Sequence, residues 1–192
     1  MSSIPYDGPP SQAGIVSEPM AADLGGDPGA LQLLAWWHRE RERAHAMPRR
    51  RALDPTEVFS LLGAINLIDI EPDGRLRLRL YGERIRATDG HEQPMQYLDQ
   101  ITPRIYRDKV LADYAAMIAT AAPSGFGVHL IGVAGETAAY RRLLLPLADD
   151  RGAFTNILVF NPDAMDMRCQ RMVQRLLERW RRAEATVADW RR

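Results

Sequence analysis

The chain has 192 residues, 46% of them hydrophobic, and its 25 basic residues balance 25 acidic ones. That length suits one domain with terminal extensions, and that apolar share excludes global disorder. Zero net charge leaves no whole-protein field to gather nucleic acid or anionic lipid, so either role would need a local patch.

Lys109 is the sole lysine, so nearly all positive charge is carried by arginine, which stays ionised and forks anions more rigidly. Cys169 stands alone, which excludes an intrachain disulfide and a cysteine-based metal cluster. The longest apolar stretch, around 61–70, is too short to span a bilayer. No basic start followed by an apolar run opens the chain, so a cytoplasmic location is expected.

Residues 1–29 are rich in Pro, Gly, Ser and Ala without sustained periodicity, which predicts a flexible tail. Asp27-Pro28 offers a helix start. Over 31–47 the apolar residues Leu33, Leu34, Trp37 and Ala44 follow helical spacing, and Pro48 ends the pattern. Asp54-Pro55 predicts a second, short helix over 55–62.

Segment 65–71 reads as a strand, Pro72-Asp73-Gly74 as a turn, and 75–81 as a second strand. In the second, Leu76, Leu78 and Leu80 alternate with Arg75, Arg77 and Arg79, giving a hairpin with one dry and one wet face. Short helical pieces follow near 83–88 and 96–100. A firm helix over 104–121 carries a stripe that includes Tyr106, Val110, Tyr114 and Met117. Three strands come next, at 126–134, 137–147 and 154–160. The last is apolar on both faces and therefore expected to lie centrally, covered on each side.

From Asn161-Pro162-Asp163 a final helix runs nearly to the end. Its stripe includes Cys169, Met172, Val173, Leu176, Leu177 and Trp180, with Arg168, Arg171, Arg175, Arg179 and Arg182 opposite. It would reach roughly 40 Å. Three uses are open for it: a helix docked on its own sheet, a dimerisation or partner helix, or a basic amphipathic helix on an anionic membrane.

Several short motifs carry a family likeness: Trp36-Trp37, Pro48-Arg49, Asp54-Pro55, the strand at 65–69, Arg79-Leu80-Tyr81-Gly82, Gly90, and the run 140–147 with Gly152. With the element order, they make 31–160 resemble a PAS domain, of a subfamily common in alphaproteobacteria. Gln93-Pro94 departs from that pattern, where members carry a Thr-Gly pair. The resemblance implies an α+β fold: a five-stranded antiparallel sheet with helices across one face, plus N-terminal and long C-terminal amphipathic helices. The expected division is a tail (1–29), a PAS-like domain with its leading helix (30–161) and a C-terminal helix (162–192). A pocket between sheet and helices is implied, with signals leaving through terminal helices or the outer sheet face.

The pocket candidates are Leu78, Leu80, Tyr106, Val110, Tyr114, Met117, His129, Leu143 and Leu145. The candidates for an interaction helix are Trp36, Trp37, Met172, Leu176, Leu177 and Trp180. His129 could bond a ligand or sense pH, although such a His is more often a structural residue at a sheet face or partner contact. The arginine row 75/77/79 could grip phosphate, yet charge on an edge strand also discourages unwanted pairing. No His lies on the 104–121 helix to ligate haem, and Cys169 lies outside the core where a flavin-bonding thiol would sit, so neither haem nor flavin is expected. His38, His45 and His91 lack a metal-binding spacing, and no nucleophile–base motif is visible.

The sequence therefore predicts a non-catalytic bacterial sensor or adaptor that works through a signalling partner or as a homodimer, without nucleic acid; contact with a membrane surface through the C-terminal helix stays open. A small-molecule sensor with its ligand in the pocket is the alternative.

Overall fold

The computed structural model describes residues 14–90, 95–132 and 134–189. Among these, six strands form a single antiparallel sheet: β1 (Gly14–Met20), β2 (Ile65–Ile70), β3 (Leu76–Leu80), β4 (Ser124–Ile131), β5 (Thr137–Ala148) and β6 (Phe154–Phe160). Their order across the sheet is β1-β4-β5-β6-β2-β3. The helices are α1 (Pro28–Ala44), α2 (Glu83–Asp89), α3 (Arg104–Thr120) and α4 (Met167–Asp189).

The five strands expected from the sequence are present, and the hairpin β2–β3 turns at Gly74, whose φ of 83° is one that glycine adopts without strain. β6 lies between β5 and β2, and Asn156–Phe160 are buried throughout. The reason is visible in the packing, since each face of the sheet carries its own core. One is built with α3 and α4 from Tyr106, Val110, Tyr114, Met117, Val128, Leu130, Leu144, Ile157, Val159 and Leu177. The other is built with α1 from Leu33, Trp36, Trp37, Leu143, Leu145, Leu147, Leu158 and Phe160.

One expectation is overturned for part of its span. Residues 14–29 form no flexible tail: β1 pairs with β4 along its whole length, from Gly14 opposite Ile131 to Met20 opposite Gly125. Pro19 is tolerated because β1 is an edge strand and needs no second ladder. Gly125 allows the close approach, as a Cβ there would stand 2.5 Å from the carbonyl oxygen of Ala21. Leu24 is fully buried at φ 52°, a conformation rare for a branched residue, and the Arg141 guanidinium clasps its carbonyl at 2.8 Å. Asp27 then caps α1 by accepting from the amides of Gly29 and Ala30. The rest of the expected tail, 1–13, lies outside the described residues.

The segment expected as a helix over 55–62 is instead a turn followed by a 3-10 helix, Phe59–Ala64. α4 is docked on its own sheet: Val173, Leu176 and Leu177 are buried in the α3-side core, and the Cys169 thiol donates to the carbonyl of Ala139. The helix therefore shares the domain's core and forms no separate unit. No helix among the described residues is long and apolar enough to cross a membrane.

Candidate functional site

Between α3, α2 and the sheet lies a small cavity of about 20 Å³, with room for about one water molecule. Its apolar wall includes Leu78, Ile85, Leu98, Ile101, Val110 and Val159. Its polar wall is Asn66, Tyr81, Asp89, Tyr106, Tyr114, Arg142 and Asn161.

Two hydrogen-bonded groups meet at the polar wall. Tyr81 donates its hydroxyl to Asp89 Oδ2 at 2.6 Å, and Tyr106 donates to Asp89 Oδ1 at 3.4 Å. The hydroxyls of Tyr106 and Tyr140 stand 2.9 Å apart. Beside them the buried Arg142 guanidinium donates to Asp113 Oδ2 at 2.6 Å, and the hydroxyl of Ser17 on β1 donates to the same oxygen at 2.8 Å. Arg142 also stands 5.5 Å from the Tyr114 ring centre, within cation–π reach. Two polar atoms of this wall have no hydrogen-bond partner among the described residues: Arg142 Nε and Asn161 Oδ1.

Asp89 is the last residue of α2, at the negative end of its dipole, and the structure buries it. Burial pushes its carboxyl up to about 6; the hydrogen bond from Tyr81 and the guanidinium groups of Arg181 and Arg142 pull the other way without cancelling that cost. Burial likewise raises Tyr81 and Tyr106, and Tyr140 to about 12, so all three are protonated donors at neutral pH. The backbone carbonyl of Asp89 accepts from the Arg181 guanidinium on α4. Arg181 also donates from Nε to the carbonyl of Thr102 at 3.0 Å. One α4 side chain thus clasps the end of α2 and the entrance to α3.

Of the pocket candidates, Leu78, Tyr106, Val110 and Tyr114 line this cavity, and Met117 lies in the core around it. Leu143 and Leu145 do not, because alternation along β5 turns them to the α1 side while Tyr140, Arg142 and Leu144 face α3. His129 is likewise excluded: its neighbours Val128 and Leu130 face α3, so its ring projects from the opposite face toward Gly127. Leu80 is 39% exposed, as a bulge in the β2–β3 register breaks the alternation after Leu78. Arg75, Arg77 and Arg79 are paired with Asp99, Asp69 and Glu71 rather than held ready for phosphate.

The interaction-helix candidates are corrected too. Trp36, Trp37, Leu176 and Leu177 are buried inside the chain, with the Trp37 indole donating to the carbonyl of Pro146 at 2.8 Å. Trp180 packs partly buried against the core. Met172 remains exposed. Sequence reasoning missed Asp89, Arg142, Tyr140, Asp113 and Arg181. The period-two pattern of β5 could have revealed Tyr140 and Arg142; nothing local signals the rest. No group of three or more His, Cys, Asp or Glu among the described residues could hold a metal.

Among solved structures, the chain is similar to the dark structure of the blue-light photoreceptor Aureochrome1 LOV, at 14% identity over 64% of this chain and 91% of that one, TM-score 0.39. A structure described as a flavin analogue shedding light on light-oxygen-voltage domain mechanism matches at 12% identity over 55% and 80%, TM-score 0.38. An RNA-binding light-oxygen-voltage receptor matches at 13% over 88% and 44%, TM-score 0.39. The expectation that flavin can be set aside does not stand on the ground given for it. The inference from Cys169 was too strong, since a missing core cysteine removes only a covalent bond to flavin and not its binding. As packed, a space of about 20 Å³ would have to open before a tricyclic ring could enter. No curated protein matches the chain. The family model for the PAS domain matches residues 27–159, more than half of the sequence. The chain belongs to the PAS domain family.

Proposed function

We propose that this PAS protein is a non-catalytic signalling module of the bacterial cytoplasm, with α4 reporting the state of the interior to a protein partner. One observation carries this reading. Asp89 belongs to both parts, its carboxylate bonded by Tyr81 and Tyr106 inside the cavity wall and its carbonyl held by Arg181 of α4. A change of charge or hydrogen bonding at that carboxylate acts directly on the clasp. The non-catalytic part rests on how the charged groups are used. Arg142 is ion-paired with Asp113, Asp89 is occupied by tyrosines, and burial pushes the Cys169 thiol up to about 12, leaving it protonated.

Hydrogen exchange of the full chain tests the coupling. Arg181→Ala should speed amide exchange across 174–186 by about tenfold or more, and Asp89→Asn should change exchange in the same segment while leaving β5 and β6 protected. If α4 exchanges identically in the wild type and Asp89→Asn, the cavity and the helix are not coupled. Sedimentation velocity of the same samples separates self-association from action on a different protein.

A second reading, a sensor with a small molecule in the cavity, is favoured by the unpartnered Arg142 Nε and Asn161 Oδ1 at its wall. Native mass spectrometry of the purified chain should then show a bound small molecule that Arg142→Met loses. A mass equal to the bare chain under gentle ionisation counts against it.

A further inference from the structure

With its inner stripe docked on the sheet, α4 turns its other side to solvent. Arg168, Arg171, Arg175, Arg179 and Arg182 fall within about 80° of arc at 100° per residue and run about 21 Å along the helix. Met167 and Met172 flank this ridge, 66% and 48% exposed. Arg179 pairs with Glu136, and the other four arginines have no ion pair among the described residues. Many arginines elsewhere find internal partners, as with Arg75 and Asp99, Arg77 and Glu71, and Arg141 and Asp163. Others, such as Arg49 and Arg151, have no ion pair among the described residues and are not aligned on one face.

The ridge is also placed against the helix's own electrostatics. Successive arginines stand three or four apart, where like charges repel. Arg168 lies in the first turn, at the positive end of the dipole, and that turn holds no acidic residue. A codon bias toward arginine explains the residue type but not this alignment. Five aligned like charges, four of them without a counter-charge among the described residues, suit an external anion.

We infer that the outer face of α4 is a docking surface for an acidic protein segment, with carboxylates in the arginine forks and apolar side chains against Met167 and Met172. This rests on the proposed protein output and names its chemistry. A lipid surface fits less well, because Val173, Leu176 and Leu177 are committed to the core and, among the described residues, only the two flanking methionines remain on that face to insert. A single-stranded nucleic acid fits less well because the ridge carries no aromatic residue for base stacking, Trp180 being turned toward the core.

The test is fluorescence anisotropy of the full chain with a labelled helical peptide carrying Glu at three- and four-residue spacing and Leu at its flanks. Phosphatidylglycerol vesicles and a single-stranded RNA serve as competing probes. Arg171→Glu with Arg175→Glu should weaken peptide binding by about tenfold or more, and added salt should weaken it further. Arg49→Glu with Arg151→Glu makes the same net-charge change elsewhere and should cost less than about threefold. Circular dichroism confirms that each variant keeps α4, and Arg171→Lys with Arg175→Lys retains charge if the Glu pair unfolds it. No peptide binding, equal losses in both Glu pairs, or tighter binding of vesicles or RNA than of the peptide would overturn the inference. Failure here leaves the Asp89–Arg181 coupling intact, and failure of that coupling in hydrogen exchange leaves the ridge result standing.

Discussion

Asp89→Asn separates the energetic cost of the buried carboxylate from its structural use. The folded chain holds this carboxyl at about 6, against an ordinary 3.8. Two pH units correspond to about 3 kcal/mol between its protonated and ionised forms. The shift already contains the help given by Tyr81, Arg181 and Arg142, so this is the net penalty. The sign follows from proton counting. Between about pH 4 and 6 the folded chain keeps this proton while the unfolded chain releases it. Stability from this group is therefore fully present below about pH 4, falls as pH rises through that window, and is level above it. Asparagine accepts the Tyr81 hydroxyl in the same place without ionising, so the variant lacks this slope. Urea denaturation of wild type and variant across the window isolates Asp89, because all other carboxylates cancel in the difference. The variant should match the wild type within about 1 kcal/mol at the acid end and exceed it by about 2–3 kcal/mol near neutrality. A difference that stays constant across the window, or a variant that loses ground as pH rises, would refute the assignment of a strained, ionised carboxylate.

Other substitutions probe the supports of the same site. Arg142→Met leaves Asp113 buried without its counter-charge and should cost about 3–5 kcal/mol in urea unfolding. Ser17→Ala removes one hydrogen bond to Asp113 and should cost about 1 kcal/mol, a small loss that nonetheless confirms β1 as part of the cooperative unit. Leu177→Ala, at a fully buried α4 position, should cost about 2–5 kcal/mol, and tryptophan fluorescence and far-ultraviolet dichroism should still report one coincident transition. Two separated transitions would show that α4 folds apart from the sheet.

The elements legible in the sequence were those whose signal is local. The β2–β3 hairpin announces itself by Leu/Arg alternation around Pro72-Asp73-Gly74, and β6 by apolar residues on both faces between β5 and β2. α3 is marked by Tyr106, Val110, Tyr114 and Met117 at helical spacing. β1 gave no such signal. Its seven residues include Pro19 and Glu18, and its only ladder is with β4, more than a hundred residues away. What orders it is tertiary: Ser17 on the buried Asp113, Leu24 under the Arg141 clasp, and Gly125 making room for the chain. Composition read as a tail because none of those partners is near in sequence.

The site divides along the same line. Tyr106, Val110 and Tyr114 were found because a helical stripe names its own inner face. Asp89 escaped because the two facts that define it, burial and the clasp from Arg181, depend on α4 returning across α2 from 92 residues further along the chain. That return also changes how α4 should be read. An amphipathic helix with Trp180 and a leucine stripe looks like one surface for one partner; docking commits that surface and leaves the opposite one as the accessible face. The two sides of α4 then have different tasks. On the proposed reading, its inner face senses the interior through Arg181 and the core, and its arginine face meets the partner. On that reading a ligand or proton that alters Asp89 need not expose the leucine stripe to be felt outside, because a shift of the clasp would carry the arginines of a stiff helix together.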